Sequence, residues 1–406
     1  MREFDTPMSA EELDAFAQSF DHHSPTYAKN PYEIYRHMRE RCPVAHSPNH
    51  GGFWIPSRRE DIAAVAHDDV TFTSTEGPSI PKFPQKLHPV DMDPPESLEW
   101  RAMMNPLMAP AGVLKLEAFI RDTSRRLADA FIESGSADLV TQLARPLTTL
   151  TTIKFAGLDD HNADFISDTI HRGIVGEIDP MEYMANIARM EADIDRQIEE
   201  QRVRPKEDGA ISHLIHKCRF RGESLSTEDI RGTVNLFLGG GVDTTQATLS
   251  VAYLYLSRHT DLRARLAADS ELRHKAMEEF FRFASPQQTL ARTATKDCTL
   301  GGQAIKAGDQ VLLPWAAGNW DPEEFPEPDR FIPDRFPNRH MTFGVGAHRC
   351  FGSNLARKMF MVALEEVLTR MPDYRVNEEG LVRARSCGIV YCFTHVPVTF
   401  TPGKRA

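Results

Sequence analysis

Apolar residues recur at helical spacing along the longest uninterrupted stretches of this chain. From about Thr227 to Ser257, the positions Ile230, Val234, Leu236, Phe237, Leu238, Leu249, Val251 and Leu254 outline one long apolar helix. A second helix is predicted from Asp269 to Ala284, closed by Ser285-Pro286. A third follows a glycine-rich loop and runs from Ser353 to Thr369. No apolar stretch reaches the roughly 18 residues that a membrane-spanning helix requires, so no span is expected.

The first helix carries a run that opposes it: Gly239-Gly240-Gly241-Val242-Asp243-Thr244-Thr245. Each interior glycine costs about 1 kcal/mol against alanine, so the run needs a reason. One is close approach of a ligand to the backbone. Another is a local kink, with the Thr244 hydroxyl bonding back to the Gly240 carbonyl one turn earlier. Asp243 and Thr244 would then flank a widened turn able to hold water, an acid beside a hydroxyl, suited to passing protons to a bound reactant. A phosphate-binding turn is a poor fit, because no strand precedes the glycines and no G-x-G-x-x-G follows. Tight packing on a neighbouring helix is the structural alternative.

The second helix contains Glu278-Glu279-Phe280-Phe281-Arg282, in which either glutamate can pair with Arg282 on a helix surface. Such pairs are usually solvated and weak. The flanking phenylalanines point instead to burial, where a bidentate arginine–carboxylate pair is well suited.

The loop before the third helix reads Phe343-Gly344-Val345-Gly346-Ala347-His348-Arg349-Cys350-Phe351-Gly352. A cysteine at a helix start faces free amides and the positive end of the helix dipole, which favours a thiolate. Gly344, Gly346 and Gly352 allow sharp turns and close approach of something flat. Phe343 can shield the sulfur, and His348 and Arg349 add donors or charge. A nucleophilic thiol would want a paired base. A zinc site would want further Cys or His at short spacing. Neither pattern is present, and a single thiolate in such a loop suits the axial position of a heme. A buried cysteine acting as a small hydrophobe is the plain alternative.

Composition narrows the picture only a little. The 406 residues are 41% hydrophobic and 26% charged, ordinary for a globular protein, with no repeat and no linker-like segment. The net charge of −11 argues against nucleic acid as a partner. The six cysteines are scattered without a pairing pattern, and the acidic N-terminus lacks an apolar leader, which together fit a reducing cytoplasm.

The loop fits F-x-x-G-x-H-x-C-x-G at all five fixed positions and resembles the heme-binding loop of the cytochrome P-450 monooxygenases. The resemblance spans nearly the whole chain and implies a mainly α fold with small β-sheets, residues 1–406 forming a single domain with about the first 25 residues poorly structured. The cofactor implied is heme b (iron protoporphyrin IX), gripped between the long central helix and the loop that carries Cys350, its axial iron ligand. Phe343, Gly344 and Gly352 would complete the loop around it. The central run resembles the family's [AG]-G-x-[DE]-T oxygen-binding motif through Gly240, Gly241, Asp243 and Thr244. By that likeness Thr244 is the hydroxyl at the oxygen and Asp243 its link to bulk protons. Glu279 and Arg282 occupy the place of the family's E-x-x-R pair, a structural brace completed by a further arginine. Arg330 is the expected partner, with Arg335 next.

The heme carboxylates would be held by three groups. These are Arg101, in Asp93-Pro94-Pro95-Glu96-Ser97-Leu98-Glu99-Trp100-Arg101, then Arg292 and His348. Ser97 departs from the family, whose bacterial members often carry His there, so His88 or Trp100 is expected to make up the contact. Substrate would meet Leu236, Gly239, Thr289, Leu290, Ile389 and Val390, with parts of the Phe72–Val90 loop and the Asp159–Met184 region, an apolar and small-sided lining. Electrons would enter on the Cys350 side, where Arg339, His340, Arg349, Arg357 and Lys358 form a candidate basic dock for an acidic ferredoxin, itself served by an NAD(P)H-dependent reductase.

The implied reaction activates O2 and hydroxylates a small hydrophobic molecule: a terpenoid, a steroid, a fatty acid or an aromatic. A peroxide-driven heme-thiolate enzyme would not need the Asp243-Thr244 relay. A non-catalytic heme sensor would need neither that pair nor the glycine-broken helix.

Overall fold

A computed structural model describes residues 5–406. The long apolar helix is present but divided. Thr227–Gly241 begins with a capping box in which Ser226 and Asp229 exchange side-chain and backbone hydrogen bonds. Asp243–Arg258 continues it, and Val242 between them keeps helical angles of φ −71° and ψ −53°. The junction is therefore a break in the ladder within one continuous rod. Thr148, on the helix Arg145–Ala156, donates to the Val242 carbonyl at 2.6 Å. The second half is buried on nearly every face, Leu249 through Leu254 included, so this rod is the centre of the core.

Around it pack Arg145–Ala156, Pro180–Val203, Ser270–Ala284 and Ser353–Arg370. Ser270–Ala284 starts at an Asp269 side-chain cap and ends where Ser285 turns left-handed (φ 45°) just before Pro286. The largest sheet lies to one side. Its five strands run in the spatial order Val44–Ser47, Phe53–Pro56, Gln310–Pro314, Thr289–Ala294 and Phe72–Thr73. Ala291 pairs with Leu312 and Arg292 with Val311 in an antiparallel ladder. The remaining sheets have two or three strands, which gives the mainly α, small-sheet architecture.

The N-terminal segment differs from expectation. Residues 1–4 lie outside the described residues. Beyond them Ala10–Gln18 is a helix closed by a Ser9–Glu12 capping box, and Phe20 and His22 are buried. Two imidazoles explain the order: His22 and His23 both donate from Nε2 to the Ile80 carbonyl, at 2.9 and 2.8 Å. Polar composition hid this anchoring, because its partner is far away in sequence.

Candidate active site

The central rod and the Cys350 loop face each other across one cavity, whose lining is mostly apolar. On the rod, Leu236, Gly239, Gly240, Gly241 and Thr244 reach it. A Cβ added at Gly239 or Gly240 would meet nothing within 4 Å, so these two present bare backbone to open space. Gly241 is different: a Cβ there would stand 2.6 Å from the Thr152 hydroxyl oxygen, so this glycine also serves tight helix packing. The Thr244 hydroxyl donates to the Gly240 carbonyl at 2.8 Å, the back-bond that the kink requires.

Asp243 is fully buried on the rod's other side. Both its carboxylate oxygens lie 3.1 Å from Nδ1 of His171, itself buried on the helix Ala163–Ile174, and the Gln246 amide approaches at 3.4 Å. Nothing in the sequence marks His171, a lone histidine in an unremarkable helix, as the companion of a residue 72 positions away.

On the opposite wall, the Cys350 amide donates to the Phe343 carbonyl at 2.6 Å, closing the loop. Gly344 and Gly346 sit at φ +67° and +74°, and a Cβ on Gly346 would strike the Ala66 carbonyl at 2.4 Å. Phe343 is buried under the Arg357 guanidinium, 4.4 Å from its ring centre. Cys350 lines the cavity and is accessible there. Burial pushes its thiol pKa up, against the Gly352 N–H and the nearby Arg101, Arg349 and Arg357, which pull it down. The helix start and these cations favour the thiolate, and the surrounding protein opposes them. A bound cation is what would complete the charge.

Three polar groups gather at one end of the cavity. Burial lowers the Arg292 pKa to about 10, with Asp69 and Asp93 opposing. Its Nε has no partner while Nη1 donates to the Ala291 carbonyl at 2.8 Å. Burial, with Arg292 and Arg101 beside it, lowers the His348 pKa to about 3, so this imidazole is a neutral hydrogen-bonding group rather than a cation. It meets the Ser74 hydroxyl at 3.2 Å. Arg101 donates to the Arg349 carbonyl at 2.5 Å and lies over Phe351. Neither expected substitute at the Ser97 position is free. His88 is paired with Asp91 at 2.8 Å, and the Trp100 indole donates to Thr233 at 3.0 Å. Ser97 itself is buried with its hydroxyl unpartnered, outside the cavity lining.

The brace beneath the loop is built on Glu279, completely buried with Arg282. Arg282 pairs with it bidentately, both contacts at 2.8 Å. The third arginine is Arg335, whose Nε meets Glu279 at 3.1 Å. Arg330 turns outward to Glu327 and contributes only its carbonyl, which accepts from Arg282 at 3.0 Å. Arg330 is thus corrected to Arg335: the chain turns between the two, and that turn was not readable in composition. The basic dock is also reduced. Arg357 and His340 are held by Glu278, at 2.6 and 3.0 Å, and Lys358 by Glu117 at 2.6 Å. Arg339 and Arg349 are exposed.

Of the expected pocket residues, Leu236, Gly239, Leu290, Ile389 and Val390 line the cavity. Thr289 does not. Strand alternation sends Leu290 and Arg292 to the cavity side, and the Thr289 hydroxyl donates instead to the Gly388 carbonyl at 2.6 Å.

Residues 179–372 match the cytochrome P450 family profile. The chain is 31% identical over 381 residues to a steroid C26-monooxygenase of Mycolicibacterium smegmatis, covering 91% of this chain and 92% of that one. The chain is a cytochrome P450. A linalool 8-monooxygenase of Pseudomonas putida is also 31% identical, over 369 residues, covering 85% of this chain and 90% of that one. Among solved structures, CYP108D1 from Novosphingobium aromaticivorans aligns at a TM-score of 0.86 and 26% identity over 98% of this chain and all of its own. CYP109E1 from Bacillus megaterium, in complex with testosterone, aligns at 0.85 and 27% identity over 93% of this chain and all of its own.

This P450 is a heme-iron monooxygenase, using O2 and electrons from redox partners on hydrophobic substrates. Its residues fit the cofactor. A sulfur faces bare glycine backbone across the cavity, and an arginine Nε is left unpartnered beside a neutral imidazole. No helix among the described residues is long and apolar enough to cross a membrane.

Proposed function

We propose that this P450 hydroxylates a small hydrophobic molecule at heme b, with electrons delivered by a ferredoxin and its NAD(P)H-dependent reductase in the cytoplasm. The chain works as one domain, residues 1–406. The observation that carries the reading is the placement of Cys350 and Thr244 on facing walls of one apolar cavity.

Cys350 would ligate the iron, with Phe343, Gly344 and Gly352 shaping the loop and Arg101, Arg292 and His348 holding the carboxylates. Bound there, a thiolate-ligated heme activates O2 for insertion into a C–H bond. The chain's own part is the proton supply. The Thr244 hydroxyl, now resting on the Gly240 carbonyl, is the donor that faces the cavity. Asp243 lies behind it with no exposure to solvent. A proton entering by this route must therefore reach Asp243 through its buried neighbours, and His171 holds the carboxylate in place until then. Gly240 leaves room for the reactant, Gly241 lets the rod close on Thr152 beside it, and Glu279, Arg282 and Arg335 keep the Cys350 loop in register.

The direct test is the absorption spectrum of the reduced, carbon monoxide-bound protein. The long-wavelength band of a thiolate-ligated heme is expected in the wild type and not in C350A. A short-wavelength band in freshly prepared, folded wild type would exclude Cys350 as the ligand. Product-coupled oxygen uptake with a surrogate ferredoxin and reductase separates the monooxygenase from a peroxide-driven enzyme.

A further inference from the structure

Two adjacent glutamines follow the helix Ser270–Ala284, and they are used in opposite ways. Gln288 is fully buried with both ends of its amide paired: Oε1 accepts from the Tyr27 hydroxyl at 2.8 Å, and Nε2 donates to the Ser285 carbonyl. Gln287 is half-buried and lines the cavity. Its backbone is held in place. It is bridged to Val390, and on either side the Gln288 amide donates to the Ile389 carbonyl at 2.8 Å and the Tyr391 amide to the Pro286 carbonyl at 2.9 Å.

The direction of the Gln287 side-chain amide is settled by chemistry. Nε2 donates to the Thr289 carbonyl at 2.8 Å and to the Ile389 carbonyl at 3.2 Å. Carbonyl oxygens only accept, so the NH2 end faces them and both its hydrogens are engaged. No hydrogen bond among the described residues reaches Oε1, and Oε1 is not among the buried atoms left without a partner, so it keeps accessible surface. That surface belongs to the cavity. In the two segments that meet here, Gln288, Thr289, Cys387 and Gly388 are buried and outside the lining, whereas the half-buried Leu290 and Ile389 both line it. Heme would not satisfy this oxygen, because its carboxylates are acceptors themselves and belong with Arg292 and His348.

We infer that Gln287 is a specificity-determining residue that accepts a hydrogen bond from a hydroxyl on an otherwise apolar, neutral substrate. The inference rests on the P450 reading of the cavity. A glutamine amide that can turn serves donors and acceptors alike. This one cannot turn without breaking two hydrogen bonds and setting its oxygen against two carbonyls. It therefore recognises a donor and rejects an acceptor. Alcohols are favoured over the ketones and ethers of the same skeleton, and a carboxylate placed here would meet an oxygen of like partial charge. Acids that would bind by this end thereby drop from the substrates that an apolar pocket alone would admit.

The test is titration of heme-loaded protein that shows the thiolate carbon monoxide band, followed by the heme absorbance change. The ligands are a 3-hydroxysteroid, its 3-ketone and its 3-methyl ether, then geraniol, its methyl ether and geranic acid. In wild type the alcohol of at least one series should bind about tenfold more tightly than its ether, the value of one hydrogen bond, and more tightly than the ketone or acid. In Q287M, close in length but without the oxygen, that ratio should fall to about one. In Q287N, which draws the oxygen back by one methylene, it should fall part of the way. The ratio is read within one protein, so a general weakening from the two lost amide bonds leaves it unmoved. Alcohol and ether bound equally by wild type, a ratio that survives Q287M, or an acid bound tightest would overturn the inference and leave the P450 reading intact. No absorbance change with any ligand would remove the cavity's role as a substrate pocket, and a missing carbon monoxide band the P450 reading itself; either takes the inference with it.

Discussion

The two walls of the cavity are built on different physics. Beneath Cys350, a buried carboxylate gathers Arg282 bidentately, the Ile332 amide at 3.0 Å, Arg335 at 3.1 Å and Asn338 at 3.1 Å. Beside it, Glu278 holds Arg357 and His340, which lowers its own pKa to about 2: its burial works against this shift, and the two partners outweigh it. A second wall is formed by Phe83, Leu87, Val90, Ile170 and Ile174, and its polar tethers to the rest of the fold are few. Pro78 accepts from the Ala291 amide, Ile80 from two histidines, and Gln85 reaches Tyr183 at 3.3 Å. The Cys350 side is over-determined by charge; the second side is held mainly by apolar contact. A side that must hold one geometry for every turnover is served by directional bonds. A side that must admit and release a ligand is served by contacts that can re-form.

Removing the centre of the first wall should have the largest effect. E279A strands two buried guanidiniums and should cost about 3–5 kcal/mol, a large share of a typical 5–15 kcal/mol total. The half-buried Ile174→Ala on the second wall should cost about 1 kcal/mol, since part of its surface already faces the cavity. Urea midpoints for the two variants measure the contrast directly, and equal losses would break it.

The next effect is on rate rather than stability. D243N keeps the shape of the side chain buried against His171 but removes its proton-carrying ability. Turnover is expected to fall about 100-fold, the lower end for a positioned acid–base group, with electron consumption falling less than product formation. Stopped-flow rates and product-to-NAD(P)H ratios report it. A loss matched by poorer folding would place Asp243 with the structural wall instead.

How much of this was legible beforehand follows the range of each interaction. Local patterns were readable. Gly239 to Thr244 announced the broken helix, Ser285-Pro286 its neighbour's end, and Phe343 to Gly352 the glycine-turned loop before the last long helix. Pairings across the chain were not. His171 with Asp243, His22 with Ile80, and Lys358 with Glu117 join positions 72, 58 and 241 residues apart, and nothing in the local surroundings of one partner names the other. Arg330 and Arg335 are equivalent in composition, and only the intervening turn decides which one faces Glu279. Thr289 failed for a smaller reason: a strand's two-residue period reverses the face of adjacent positions, so a one-residue choice is a choice of side.

The sparse tethers of the second wall should show in the pH dependence of stability. Burial, with His23 beside it, lowers the His22 pKa from the ordinary 6.5 to about 3. Between those values the unfolded chain takes up a proton that the folded chain refuses. Stability from this site is therefore full above pH 6.5 and lost as the pH falls toward 3, by about 2 kcal/mol at pH 5. Asp21 and His50 adjoin the pair and are linked to each other at 3.0 Å. Tm against pH should slope less for H22Q than for wild type across this window. Parallel slopes would show that the Ile80 carbonyl is not anchored through a neutral His22.

The smallest effect concerns the outer surface of the charged wall, and it separates two kinds of cation that look alike in sequence. Arg357 and Lys358 are neutralised by Glu278 and Glu117, and Arg357 also covers Phe343. Reversing Arg357 should therefore lower Tm, because Glu278 would lose a half-buried partner, and any slower reduction would follow from the damaged loop. Arg339 and Arg349 are exposed, so reversal there should leave Tm unchanged. If an acidic ferredoxin docks on this face, R339E/R349E should slow the first electron transfer about threefold to tenfold at low ionic strength. The difference should vanish near 1 M salt, where the screening length is about 3 Å. Stopped-flow reduction at several salt concentrations, read beside the melting curves, distinguishes them: a salt-independent loss in R339E/R349E would mean that these arginines, too, belong to the structure and not to the dock.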